Sequence, residues 1–131
     1  MWMKSNLRKN APPLIIGFFL LCALGILLET RFRLVQRGYD NFILDNRNHY
    51  LSCEDLPATA DVEIIVEQHR DIMQQIRDVA PDFVDVEVDS ATCEGKADLL
   101  IRYGTHQQRI AIEEIIGGDT FFGIPYRLQN R

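Results

Sequence analysis

The sequence is poor in the signatures that mark most enzymes and nucleic-acid binders. Its three serines, Ser5, Ser52 and Ser90, stand in no GxSxG setting, and no glycine-rich run reads as a phosphate cradle. Three cysteines in 131 residues form no CxxC pair, and no HExxH occurs. Basic residues are scarce in the body of the chain: residues 29–131 hold all 19 acids against 11 bases, a net of −8. That balance argues against nucleic acid as a partner, because its binding rests on Lys and Arg neutralising phosphates. Charge of either sign is missing from Ala11 to Leu28, which reads APPLIIGFFLLCALGILL.

Those uncharged residues rise about 27 Å as a helix, close to the ~30 Å hydrocarbon core, and predict a transmembrane anchor over 11–29 behind a basic tail, 1–10, carrying Lys4, Arg8 and Lys9. A cleaved signal peptide shares that layout, but LLETR at 27–31 offers no small-x-small site, so the anchor is expected to stay. Bulky Leu21 ahead of Cys22 opposes lipid attachment and leaves Cys22 as a small apolar residue of the span. Arg31, Arg33 and Arg37 balance the bases of the tail, so charge alone does not orient the chain. The short N-terminus, and Cys53 with Cys93 if they are paired, suit a cytoplasmic N-terminus and a domain in the oxidising space outside a bacterial plasma membrane.

Past the anchor, Leu28, Phe32, Val35, Tyr39 and Phe42 step by the a/d spacing of a coiled-coil seam. Residues 30–48 are therefore expected to form a juxtamembrane amphipathic helix or linker, which either packs on its own domain or pairs with a partner or a second copy. In the domain, 49–131, Val62, Ile65, Val66, His69, Ile72, Met73, Ile76, Val79 and Ala80 mark one face of a helix over 61–80, with Thr59 or Asp61 as its cap and Pro81 as its end. Val84, Val86 and Val88 alternate with Asp85, Glu87 and Asp89, as Ala97, Leu99, Ile101 and Tyr103 do with Asp98, Leu100 and Arg102. These are two strands of a hairpin, with Arg102 across from Glu87 or Asp85. Thr105 to Gln108 spells a capping box for a helix to about Ile116, and Gly117 and Gly118 stop it. Phe122, Ile124, Tyr126 and Leu128 alternate through a last strand, where Pro125 suits a sheet edge.

If His49–Cys53 adds a strand at the front, the order becomes βαββαβ, a ferredoxin-like α+β fold with helices on one face of an antiparallel sheet and the last strand at an edge. That geometry brings Cys53 and Cys93 together as a disulfide.

Local motifs admit plainer readings. His69, Arg70 and Asp71 spell the kinase catalytic-loop tripeptide, but within a helix, and Ile76 stands where that loop has Asn. His69 is read as a core-edge histidine. Gly117 to Phe121 is similar over five residues to the GGDEF signature of diguanylate cyclases, with Thr120 in place of Glu, while a helix stop explains both glycines. His49, Cys53, Cys93 and His106 number enough ligands for zinc, but a disulfide would consume both thiols, so no metal or other cofactor is expected. Asp85, Glu87 and Asp89 form an acidic strand face, read as solvated or as a docking surface for a basic partner in preference to a cation site. The aromatic tail either packs on the sheet or, through Phe121 and Tyr126 at an open edge, pairs with another protein.

Together these readings describe a bacterial single-pass membrane protein acting by binding rather than catalysis. Its expected partners are the bilayer and other membrane-complex subunits or a second copy, through Leu28, Phe32, Val35, Tyr39, Phe42, Phe121 and Tyr126. In layout it resembles the inner-membrane platform subunits of type II secretion and type IV pilus machines, which implies an accessory or assembly role. The alternative is a membrane-bound redox or metal-binding protein or enzyme using Cys53, Cys93 and nearby histidines.

Overall fold

The computed structural model describes residues 11–131, so the expected basic tail lies outside the described residues. The chain divides into two compact units at Arg37 and Gly38. The first contains α1, Ala11–Phe32, and the start of α2, Leu34–Phe42. Within α1, Pro13–Phe32 is long and apolar enough to cross a membrane: an 18-residue window of it has a mean hydropathy of 2.2, and none of that window is buried against protein.

The helix does not run on as one seam. Arg33 adopts a left-handed φ of 49°, which ends α1. Glu29, in the last turn of α1, then accepts the Val35 N–H at 2.8 Å and the Gln36 N–H at 3.4 Å, so its carboxylate satisfies donors that the start of α2 would otherwise leave open. The break corrects the continuous heptad pattern: Leu28 and Phe32 belong to α1, and Val35, Tyr39 and Phe42 to α2.

The second unit mixes α3 (Thr59–Gln68), α4 (Arg70–Asp78) and α5 (His106–Ile116) with β1 (Asp85–Asp89), β2 (Asp98–Tyr103), β3 (Thr120–Phe121) and β4 (Ile124–Asn130). The strand order is β1-β2-β4-β3. β1 and β2 are an antiparallel pair, β2 and β4 are parallel neighbours with α5 between them in the chain, and β3 and β4 form a short hairpin. The α+β class stands, but the ferredoxin-like topology does not. His49–Cys53 forms no strand, because Asn48 Oδ1 accepts the Tyr50 N–H at 3.1 Å and Tyr50 turns to a φ of 57°. Without that strand β4 pairs directly with β2 and lies inside the sheet instead of at its edge. Pro125 is accommodated because the β2 register starts one residue later, at Leu99 opposite Tyr126.

The helix expected over 61–80 is broken at His69, whose φ of −117° and ψ of 35° separate α3 from α4. Neither Thr59 nor Asp61 caps it. Ala58 stands at the cap without a side-chain bond, and the start is fixed by the β1–β2 loop, Thr59 N–H to Gly95 O at 3.2 Å and Ala97 N–H to Pro57 O at 3.1 Å. In α5 the expected capping box forms between Thr105 and Gln108, and Gly117 ends the helix at a φ of 69°. The core lies between the helices and one sheet face, where Leu99, Ile101 and Tyr103 of β2 and Tyr126 and Leu128 of β4 meet Val62, Ile76 and Ile112.

Candidate interaction surface

The sheet's other face is built of charges that answer one another. Asp85 faces Arg102 in the register, and Arg102 reaches Glu87 at 2.6 Å and Asp85 at 3.5 Å, as the alternation predicts. Asp89 and Asp98 lie directly opposite each other, a repulsive pair unless a cation bridges them. Arg127 of β4 does so, at 2.5 Å from each. Thr92 hydrogen bonds and the Arg127 guanidinium hold the Asp89 carboxyl down to about 2, against the effect of burial. Burial would raise Asp98, but hydrogen bonds from His49 and Arg127 outweigh it and keep that carboxyl below its ordinary range. The Leu51 N–H points at His49 Nδ1 at 3.0 Å, so the proton sits on Nε2, which donates to Asp98 at 2.7 Å. The acidic strand face is thus paired with the domain's own arginines.

A strap from Asp45 to Ala58 replaces the missing strand. Arg47 exchanges both backbone hydrogen bonds with Leu128, at 2.8 and 2.9 Å, and covers the outer edge of β4. At its far end Ala58 bridges to Lys96, and Cys53 lies at disulfide distance from Cys93, with Cα atoms 5.5 Å apart. The pairing expected from sequence is present, brought together by the strap and not by a sheet strand.

The near end of the strap is held by a buried arginine. Arg109, in the first turn of α5, donates to Asn41 Oδ1 at 2.5 Å, Asp45 Oδ1 at 2.9 Å and Glu113 Oε1 at 3.3 Å. Arg47 joins Glu113 at 3.3 Å and Asp119 at 2.6 Å, and lies 5.0 Å over the Tyr126 ring. Asp45 sits at a φ of 53°, its main-chain carbonyl accepts the Tyr103 hydroxyl, and His106 Nδ1 lies 2.8 Å from its carboxylate. Burial would raise the Asp45 carboxyl, but His106 and Arg109 hydrogen bonds hold it below its ordinary value. Burial, reinforced by the Asp45 charge, pushes the Tyr103 hydroxyl up to about 12.

The predicted aromatic contacts fall differently. Phe121 and Tyr126 are 1% and 2% exposed and belong to the core. Within this C-terminal run the outward aromatic is Phe122, 53% exposed, in the two-residue turn between β3 and β4 at a φ of 50°, followed by Gly123 at 90°. Such turns favour Asn or Gly at that place, and a phenylalanine there is strained. Its ring stacks on His69 with centroids 3.5 Å apart and planes 5° from parallel, and Phe121 meets both edge-on. Leu28, Phe32, Val35, Tyr39 and Phe42 are all exposed. No family model, curated protein or solved structure matches this chain.

The function must therefore be read from geometry. Both cysteines are committed to one another, both His49 nitrogens are engaged, and among the described residues no three His, Cys, Asp or Glu side chains gather as metal ligands would. What the domain does present is a strained, half-exposed aromatic, Phe122, at the β3–β4 turn. Sequence reasoning missed Phe122 and Arg109. The FFGI run held a signal for the first: Gly123 suits a two-residue turn, which leaves Phe121 and Ile124 as its paired flanks.

Proposed function

We propose that this chain is a single-pass, membrane-anchored accessory or assembly subunit of a bacterial plasma-membrane complex, acting by protein–protein binding and not by catalysis. The N-terminus lies in the cytoplasm and the domain outside, a placement that suits the Cys53–Cys93 pair. The apolar, unburied α1 supports the anchor, with Leu28 and Phe32 placed to meet a neighbouring span.

The observation that carries the binding reading is Phe122. A half-exposed aromatic kept in a left-handed turn, with its ring fixed against His69, retains strain that folding alone would shed by substituting Asn or Gly. Rigid aromatic anchors of this kind dominate protein interfaces. The alternative, a redox or metal carrier, has less support because both sulfurs are paired and therefore not available as thiolate ligands.

The test is photo-crosslinking in intact membranes from a benzoyl-phenylalanine placed at Phe122, with Glu63, exposed on α3, as the comparison site. Binding through this tip gives a discrete protein adduct from position 122 and none from position 63. Adducts that are absent, or equal from both positions, reject it.

A further inference from the structure

The segment from Tyr39 to Asp45 is folded inside out relative to an ordinary surface element. Its polar side chains turn to the domain: Asp40 accepts the Tyr50 hydroxyl at 2.6 Å, Asn41 accepts from buried Arg109 at 2.5 Å, and Asp45 accepts from Arg109 at 2.9 Å. Its apolar side chains are left outside, with Phe42 83%, Ile43 69%, Tyr39 54% and Leu44 41% exposed. The backbone is fixed as well, since the Asn46 N–H bonds Asp40 O at 2.7 Å and the Ile43 N–H bonds Tyr39 O at 2.9 Å. Four adjacent apolar side chains held rigidly in the open form a patch that solvent alone does not explain.

We infer that Tyr39, Phe42, Ile43 and Leu44 are a membrane-interface foot, inserted into the headgroup region of an anionic bilayer, the same bilayer that α1 crosses; the inference rests on the membrane-spanning reading of α1. The first argument is reach. Tyr39 lies seven residue steps beyond Phe32, the last residue of α1, and even a fully extended chain of that length spans no more than about 25 Å. The patch therefore cannot leave the neighbourhood of the bilayer surface.

The second argument is charge. Residues 38–131 hold 18 acids against 8 bases, a net of −10, and would be repelled by anionic lipid. Residues 30–39 hold Arg31, Arg33 and Arg37 and no acid. The apolar foot is thus joined in the chain to the one strongly basic stretch of the described residues, the combination that interfacial segments use. Tyr39 adds an amphipathic ring suited to the headgroup level.

The test uses the full chain in phosphatidylcholine vesicles with and without phosphatidylglycerol. Trp2, the chain's one tryptophan, is replaced (Trp2→Phe), and a single reporter is introduced by Phe42→Trp, Glu63→Trp or Leu20→Trp in turn. An interfacial foot predicts that Phe42→Trp emission is blue-shifted and quenched about twofold or more by lipids brominated high on the acyl chain, more strongly with phosphatidylglycerol present. Glu63→Trp is quenched by aqueous acrylamide alone. Leu20→Trp reports the span, so its quenching by brominated lipid with Phe42→Trp open to acrylamide overturns the foot and leaves the span standing. Exposure of Leu20→Trp to acrylamide overturns the span and the foot together. Shielding of Phe42→Trp from both quenchers, relieved on diluting protein in lipid, overturns the foot in favour of a second copy.

Discussion

Phe122 and Arg109 show how much single side chains decide here, and in opposite directions. Phe122 occupies a backbone conformation that disfavours it by about 1–2 kcal/mol and recovers part of that by stacking on His69. Phe122→Asn is expected to leave stability within about 1 kcal/mol of the parent, measured by denaturant unfolding in detergent, while removing partner binding. A loss of several kcal/mol would make Phe122 a structural residue. Arg109 is the reverse case: its guanidinium is buried beside Asp45, so Arg109→Ala leaves that carboxylate with His106 alone, strips Asn41 and Glu113 of the same donor, and is expected to destabilise the fold by about 3 kcal/mol in the same assay. Neither residue was legible as such in the sequence. Two adjacent phenylalanines differ in burial by the placement of one turn, and an arginine in a polar helix stretch looks solvated until the strap is laid over it.

At the scale of elements, what is written within a few residues was readable and what depends on distant pairing was not. The Thr105–Gln108 box, the Gly117 stop and the valine alternation of β1 are local, and each forms as its spacing predicts. The place of β4 is settled by competition for the edge of β2, which the expected front strand loses through a turn at Asn48 and Tyr50. The Cys53–Cys93 pair came out as expected although the route to it did not, because a bond between two loops tolerates more than one topology. It closes a separation of 40 residues, and Cys53→Ala with Cys93→Ala is expected to lower stability by about 4 kcal/mol, read as a shift in denaturant midpoint. Thr105→Ala should cost about 1 kcal/mol by removing one donor's partner at the start of α5.

For the whole molecule, charge sets how stability depends on pH. Asp45, Asp89 and Asp98 all have their carboxyls held below the ordinary range, Asp89 at about 2. Below about pH 4 the unfolded chain takes up protons that the folded chain refuses, so the stability these groups contribute is complete above that pH and lost as pH falls towards 2. The thermal midpoint is expected to drop through this window, and Asp89→Asn to flatten the drop while removing roughly 2 kcal/mol at neutral pH. A midpoint unchanged from pH 5 to pH 2.5 would refute that assignment. The apolar helix, the acidic body of the chain and the basic stretch between them were legible from composition, since hydropathy and net charge need no tertiary structure. The central claim, that the chain is a membrane-held binding subunit, is tested most directly by purifying the C-terminally tagged chain from its native membranes in mild detergent, beside its Phe122→Asn variant, and weighing what accompanies each. The account predicts a defined membrane partner at stoichiometric level with the parent, lost from the variant while the variant stays in the membrane fraction. A parent chain that purifies alone, or a partner retained by the variant, would contradict it.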